Sequence, residues 1–202
     1  MTDDRALLAA WRAGDLAAGK RLFGRHFESI GRFFYAKVST GVEDLVQRTF
    51  LGLLERADAL PPETDVRAYL FGIARRLLLR RFRDRYRGRV FDALETSVID
   101  LDDSPSQITD RREQLQLLHH GLRSIALDHQ ILLELFYWEE LPAPQIASIL
   151  EIPEGTVRSR LRRARELLAQ AIAAQPAASA IVQSTVDDLE GWARALRDQI
   201  GR

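Results

Sequence analysis

The sequence has no cysteine, which excludes disulfides, thiolate metal sites and cysteine nucleophiles. Histidine is scarce too. His26, His119, His120 and His129 have no spacing that makes a metal site, and the adjacent His119 and His120 point to different sides of a helix. No cofactor or metal is therefore expected. No apolar run reaches the length of a membrane span, and the start, MTDDRALLAAW, has acids where a signal peptide needs positive charge. The expectation is a cytoplasmic protein with no membrane partner. Net charge is also missing, because 29 lysines and arginines balance 29 aspartates and glutamates. That neutrality argues at first against a nucleic-acid partner, but the distribution of charge along the chain reverses the impression.

What is present is a chain of 202 residues, 46% hydrophobic and 29% charged, enough for one large or two small domains with proper cores. Its periodicity is helical throughout, so an all-α fold is expected. Thr2 to Ala13 reads as a short helix ended by Gly14. Asp15 suits the N-cap of a longer helix to about Val38, with Leu22, Phe23, Phe27, Ile30, Phe33 and Phe34 as its apolar face. In the next helix, Val42 to about Ala57, Val46, Phe50, Leu53 and Ala57 form one stripe and Asp44, Gln47, Arg48, Leu51 and Leu54 a second. That second face either binds a partner or lets Leu51 and Leu54 complete the core. Pro61 and Pro62 make Ala59 to Asp65 a loop.

Val66 to Arg89 is the most basic stretch. Between Leu70 and Val90 stand Arg75, Arg76, Arg80, Arg81, Arg83, Arg85, Arg87 and Arg89 against the single acid Asp84. Like charges one turn apart repel, and a polyanion relieves that repulsion. Tyr69, Phe71, Phe82 and Tyr86, interleaved with the arginines, offer stacking surfaces for unpaired bases. Phe91 to Asp110 reverses the sign, with Asp92, Glu95, Asp100, Asp102, Asp103 and Asp110 and no cation, and reads as a linker between two domains. The helices resume at about Arg111 with Leu115, Leu118, Leu122 and Ile125, and Asp128 suits the cap of the next, which offers Ile131, Leu132, Leu135, Phe136 and Trp138 to a core.

Leu141 to Leu168 then reads as two short helices joined by a turn at Leu150 to Pro153, with Pro153 where the new helix begins and the second helix running from Glu154. Val157, Leu161, Ala164 and Leu168 form one buried stripe; Thr156, Arg158, Ser159, Arg162 and Arg163 lie off it and Arg160 flanks it. An outer face of hydroxyls and guanidiniums is what a helix-turn-helix presents to the major groove; an arginine-rich solvated helix is the alternative. The expected domains are 1–90, an acidic linker over 91–110, a four-helix domain over 111–174, and a C-terminal extension over 175–202 carrying an amphipathic helix (Val182, Val186, Leu189, Ala193, Leu196, Ile200).

Two of these segments, EDLVQRTFLGLLE (43–55) with RAYLFGIARRLLLRRFR (67–83), and IPEGTVRSRLRRAREL (152–167), resemble the extracytoplasmic-function (ECF) sigma factors of bacterial RNA polymerase, in the family's order. The resemblance implies a non-catalytic subunit that directs polymerase to promoters. It places Asp44, Gln47, Arg48 and Leu51 on core RNA polymerase. It gives Tyr69, Arg75, Arg76, Arg80 and Arg83 to the melted −10 strand of promoter DNA, and Thr156, Arg158, Ser159, Arg160, Arg162 and Arg163 to the −35 duplex. The acidic linker would thread the polymerase's basic RNA exit path, and an anti-sigma factor is a further partner the resemblance admits. Arg76 stands where the family usually has asparagine and Arg80 where aspartate is common, so the −10 base preference does not carry over. A stand-alone helix-turn-helix regulator is the competing reading; it has no use for a melting helix or a polymerase-facing patch. A nucleic-acid enzyme fares worse, since no acid pair has the spacing for metal or acid-base chemistry.

Overall fold

The computed structural model describes residues 3–85, 91–101 and 113–175. The helix expected within 182–200, Tyr86, and the arginines Arg87 and Arg89 lie outside them. Among the described residues the fold is all-α: no strand forms, and one isolated bridge joins Ser97 to Ala126.

The first bundle holds α1 (Asp4–Arg12), α2 (Leu16–Tyr35), α3 (Val42–Arg56) and α4 (Val66–Arg85). Gly14, at φ 99°, allows the reversal after α1, a conformation that side chains with a Cβ avoid. Asp15 then caps α2 as expected, its carboxylate accepting from Ala17 N at 2.9 Å and Ala18 N at 3.0 Å. Asp4 pins α1 to α2 by pairing with Arg25 and with His26, whose Nε2 lies 2.7 Å away. Leu22, Phe34, Leu53, Leu70, Leu78 and Phe82 fill the interior. The α4 helix is buried on nearly every side as far as Ala74 and emerges toward its end at Arg80, Arg83 and Arg85.

The second bundle holds α6 (Glu113–Ser124), α7 (Leu127–Leu133), α8 (Ala143–Leu150) and α9 (Glu154–Ala173). The expected stripe Val157, Leu161, Ala164 and Leu168 is buried and Ile172 extends it. At Gly121 a Cβ would lie 2.7 Å from Ile172 Cγ1, so glycine sets how closely α6 and α9 approach. After α7 the helix widens into a π turn, Glu134–Trp138, closed by Glu139 N donating to Glu134 O at 3.0 Å. The i to i+5 bond sets residues five apart near one side, so Glu134 and Glu139 both face the first bundle.

Two sequence expectations change. Asp128 is not the cap of α7; Ala126 is, and Asp128 stands in the first turn with its side chain directed across to the first bundle. The described part of the acidic segment is not a free spacer. Ala93 O and Thr96 O accept from Asp128 N and Leu127 N at 2.9 Å, Val98 is fully buried, and a short α5 (Val98–Leu101) follows. Asp92 and Asp100 spend their carboxylates on local turns, accepting from Leu94 N and from Ser97.

The two bundles meet along a seam with cations on one side and acids on the other. Lys37, wholly buried above the Phe33 ring, pairs with Glu134. Arg67 and Arg32 reach Glu139 at 2.5 and 3.5 Å, Arg75 grips Asp128, and Arg76 lies 3.8 Å from Glu151. A cavity of about 50 Å³ remains between the halves, lined by Phe33, Phe71, Leu122, Leu135 and Trp138.

Candidate nucleic-acid interface

The helix-turn-helix is built by α8, a left-handed residue and α9. Glu151 ends α8 at φ 58°, and its N–H donates back to Ala147 O. Helices usually place glycine at this position, so an L-residue here is strained. Pro153 closes the turn as expected, standing just before the helix at φ −59° and ψ 141°. From there α9 turns Arg158, Ser159, Arg162 and Arg163 outward, with Thr156 and Arg160 half-buried at the edges. Ser159 Oγ donates to Thr156 O at 3.0 Å, and Glu166 is the acid near Arg162 and Arg163, at 3.8 and 3.5 Å. Such exposed pairs within one helix are weak and exchange readily for phosphate. Arg165 points the other way and rests over the rings of Phe136 and Tyr137, 5.8 and 5.3 Å from their centroids.

On α4, Tyr69, Arg76, Arg80 and Arg83 fall at spacings of seven, four and three, one stripe along the helix. Gly72 lies in the same stripe beneath the Arg76 guanidinium, which approaches its Cβ position to 3.5 Å. Tyr69 is half-buried, and the three arginines are exposed. Arg75 is separate from them. It is buried, and it holds Asp128 in a bidentate grip, Nη2 donating to both carboxylate oxygens at 3.0 Å and Nε to one at 3.2 Å. Of the five residues expected on the melted strand, four share a face and one is engaged with the chain's own acid.

The third group lies on α3. Asp44, Gln47, Arg48 and Leu51 share an exposed face, and Arg48 Nε reaches Asp44 at 2.9 Å. Leu51 and Leu54 are 45% and 46% exposed, so they do not complete the core. Phe27, expected on the buried face of α2, is 57% exposed and stacks on Phe50 with centroids 6.3 Å apart. An apolar strip thus runs from α3 onto α2. Residue spacing within α2 groups Phe27 with the core, and only the packing of α3 reveals its exposure.

The sequence reading also missed the acids of the seam. Asp128, Glu134, Glu139 and Glu151 belong to helices whose periodicity says nothing about a partner half the chain away. A carboxylate in the apolar setting of Leu127 and Ile131 was the available signal. Burial lowers the pKa of Lys37, with Glu134 opposing the shift, and lowers that of His119 to about 4, helped by the neighbouring Arg123 and Lys37. Among the described residues no helix is long and apolar enough to cross a membrane.

Two family models match the chain: Sigma-70 region 2 over residues 24–88, which contains α3 and α4, and Sigma-70, region 4 over residues 115–168, which contains the helix-turn-helix. The RNA polymerase sigma factor HrpL of Pseudomonas syringae is 31% identical over 140 residues, covering 67% of this chain and 76% of that protein. The ECF RNA polymerase sigma factor SigL of Mycobacterium tuberculosis is 27% identical over 157 residues, 75% of this chain and 87% of that protein. The chain belongs to the ECF sigma factors. Its fold agrees: CnrH, solved in complex with the cytosolic domain of CnrY, superposes with a TM-score of 0.62 at 24% identity, over 85% of this chain and 98% of that one. This sigma factor directs promoter recognition and transcription initiation by bacterial RNA polymerase.

Proposed function

We propose that this sigma factor divides its work among three surfaces, and the outward arginine face of α9 is the observation that carries the proposal. Arg158, Arg162 and Arg163, with Thr156, Ser159 and Arg160, read the −35 duplex in its major groove, where guanidiniums meet guanine edges and rim phosphates. Tyr69, Arg76, Arg80 and Arg83 hold the opened −10 strand, which needs a cationic track and a stacking partner once base pairing is lost. Arg75 joins them when its pair with Asp128 is released. Asp44, Gln47, Arg48 and Leu51 bind core polymerase, and the neighbouring Leu54 and Phe27 continue that contact as its apolar part.

Residues 1–90 form the polymerase and melting domain, 91–110 the acidic connection, 111–174 the duplex-reading domain and 175–202 an extension that tunes activity. The protein is a cytoplasmic initiation subunit and not an enzyme. CnrH, of like fold, is captured with the cytosolic domain of CnrY, and an anti-sigma partner is proposed for this chain on that likeness.

Cosedimentation with core polymerase tests the reading against a stand-alone regulator. The full chain is expected to travel with core, and Leu51→Asp to reduce capture without unfolding the protein, because Leu51 is exposed. Tight duplex binding by a chain that ignores core would overturn it.

A further inference from the structure

We propose that Arg12 of α1 is a positioning residue for −10 recognition, holding the loop 60–65 where it meets the opened strand, an inference that rests on the reading of α4 as the track for that strand. The track of Tyr69, Arg76, Arg80 and Arg83 ends at Tyr69. One helical turn earlier the chain is already the loop, with Tyr69 N donating to Asp65 O at 2.9 Å. A nucleotide beyond Tyr69 therefore meets the loop. The guanidiniums of the track take phosphates whatever the base, and aromatic stacking is likewise tolerant of sequence. Choice among bases at this end falls to the loop, where Glu63 is exposed and Thr64 half-buried. A displacement of about 1 Å is enough to cost such a contact most of its effect, so what fixes the loop also fixes the choice.

Most of the loop's restraints are local. Leu60 N donates to Arg56 O at 3.1 Å across a 3₁₀ turn, Ala57–Ala59, and Thr64 N donates to Pro61 O at 3.0 Å. At the exit the Asp65 carboxylate caps α4 by accepting from Ala68 N at 2.8 Å, and Gln145 also reaches it. At the entry the restraint comes from 48 residues earlier, where Arg12 Nη2 donates to Leu60 O at 2.7 Å. The α1 helix is a stiff post for this contact. Leu7 and Leu8 are buried, and Asp4 pairs with Arg25 and His26 of α2. The Trp11 ring lies so close over Gly19 that a Cβ there would come within 2.8 Å of it, and it meets Phe23 edge-on with centroids 5.3 Å apart. Arg12 stands in the last turn of this helix, half-buried, its Nε shut from water and without a hydrogen-bond partner among the described residues. A guanidinium that gives up hydration at one nitrogen to bring another to a carbonyl marks a contact that the fold maintains against a desolvation penalty.

The test uses holoenzyme assembled from core polymerase and the full-length chain. The probe is a single-stranded DNA library randomised over about ten positions, captured on holoenzyme and sequenced, so that total capture reports the phosphate track and enrichment reports base choice. Arg12→Met keeps the apolar stem and removes the donors, whereas Arg12→Lys keeps a cationic donor. Cosedimentation with core, which uses α3, checks that both variants are folded. Wild type is expected to enrich particular bases at one end of the bound segment. Arg12→Met is expected to lower that enrichment about tenfold while total capture stays within about twofold, and Arg12→Lys to recover part of it. Arg80→Ala with Arg83→Ala is expected to lower capture of every sequence alike and leave enrichment unchanged. A wild type without enrichment, or Arg12→Met with the preference intact, would overturn the positioning role. Equal losses in both Arg12 variants would overturn the hydrogen bond to Leu60 as its cause. Capture that survives the loss of Arg80 and Arg83 would instead overturn the reading of α4 on which the role rests.

Discussion

The α4 and α9 helices carry similar densities of arginine, yet the fold treats them oppositely. On α9 the guanidiniums flank a clean apolar stripe, and the outward Arg162 and Arg163 pair with Glu166 of their own helix. On α4, buried on most sides over its first half, Arg75 and Arg76 are met by carboxylates 53 and 75 residues further along the chain. A helix held in the middle of a bundle exposes its charge only where it leaves that bundle, and on the way out Arg75 and Arg76 meet carboxylates of the second bundle. Arginine content therefore marks both helices as DNA-facing, but availability is decided by tertiary neighbours. The exposed set on α9 suits binding before melting, and the partly engaged set on α4 suits binding afterwards.

The largest expected effect separates the two helices directly. Arg162→Ala combined with Arg163→Ala should weaken holoenzyme binding to a −35 duplex by on the order of 100-fold, as gel shifts at fixed salt would measure, since each guanidinium contact is worth about 1–3 kcal/mol. Arg80→Ala with Arg83→Ala should leave duplex binding within about twofold and lower open-complex formation by about tenfold. Equal losses in both assays for both pairs would erase the distinction.

Acid should weaken the fold through His119 of α6, which lines the cavity between the bundles. The His119 pKa is lowered from 6.5 to about 4 by burial, so the unfolded chain takes up the proton more readily than the folded one between those values. Stability is full above pH 6.5, falls as the pH drops toward 4, and gains no further loss from this group below that. Discounted for its partial exposure, the effect is about 2 kcal/mol, and denaturant titrations of wild type and His119→Gln should differ in slope across that window. The smallest effect is at the helix-turn-helix, where Glu151→Gly should raise stability by about 1 kcal/mol through relief of the left-handed backbone, with α9 unmoved.

Most of this architecture was legible in the residues because it is local. The α9 stripe, the Asp15 cap and the proline loop before α4 follow from periodicity and turn chemistry, whereas the second stripe of α3 left open whether Leu51 and Leu54 join the core. What failed was long-range. Asp128 satisfies the composition rule for a cap, yet its charge serves Arg75, and no local pattern encodes that pairing. The acidic run from Phe91 reads as a tether because its charges look unspent, although Asp92 and Asp100 are committed to turns and Val98 to the core. The π turn that aligns Glu134 with Glu139 has no sequence signature comparable to a cap or a proline. Phe27 fits the spacing of a core residue, and only the position of α3 leaves it outside.

The division of labour is tested most directly by permanganate reactivity of −10 thymines in promoter complexes assembled with core polymerase. Holoenzyme carrying Arg80→Ala and Arg83→Ala should hold the promoter yet leave those thymines unreactive. Holoenzyme carrying Arg162→Ala and Arg163→Ala should fail to hold the promoter on a template with duplex −10 DNA, and should regain reactivity when the −10 segment is supplied already unpaired. Reactive thymines in the first complex, or no rescue in the second, would contradict the assignment of melting to α4 and duplex reading to α9.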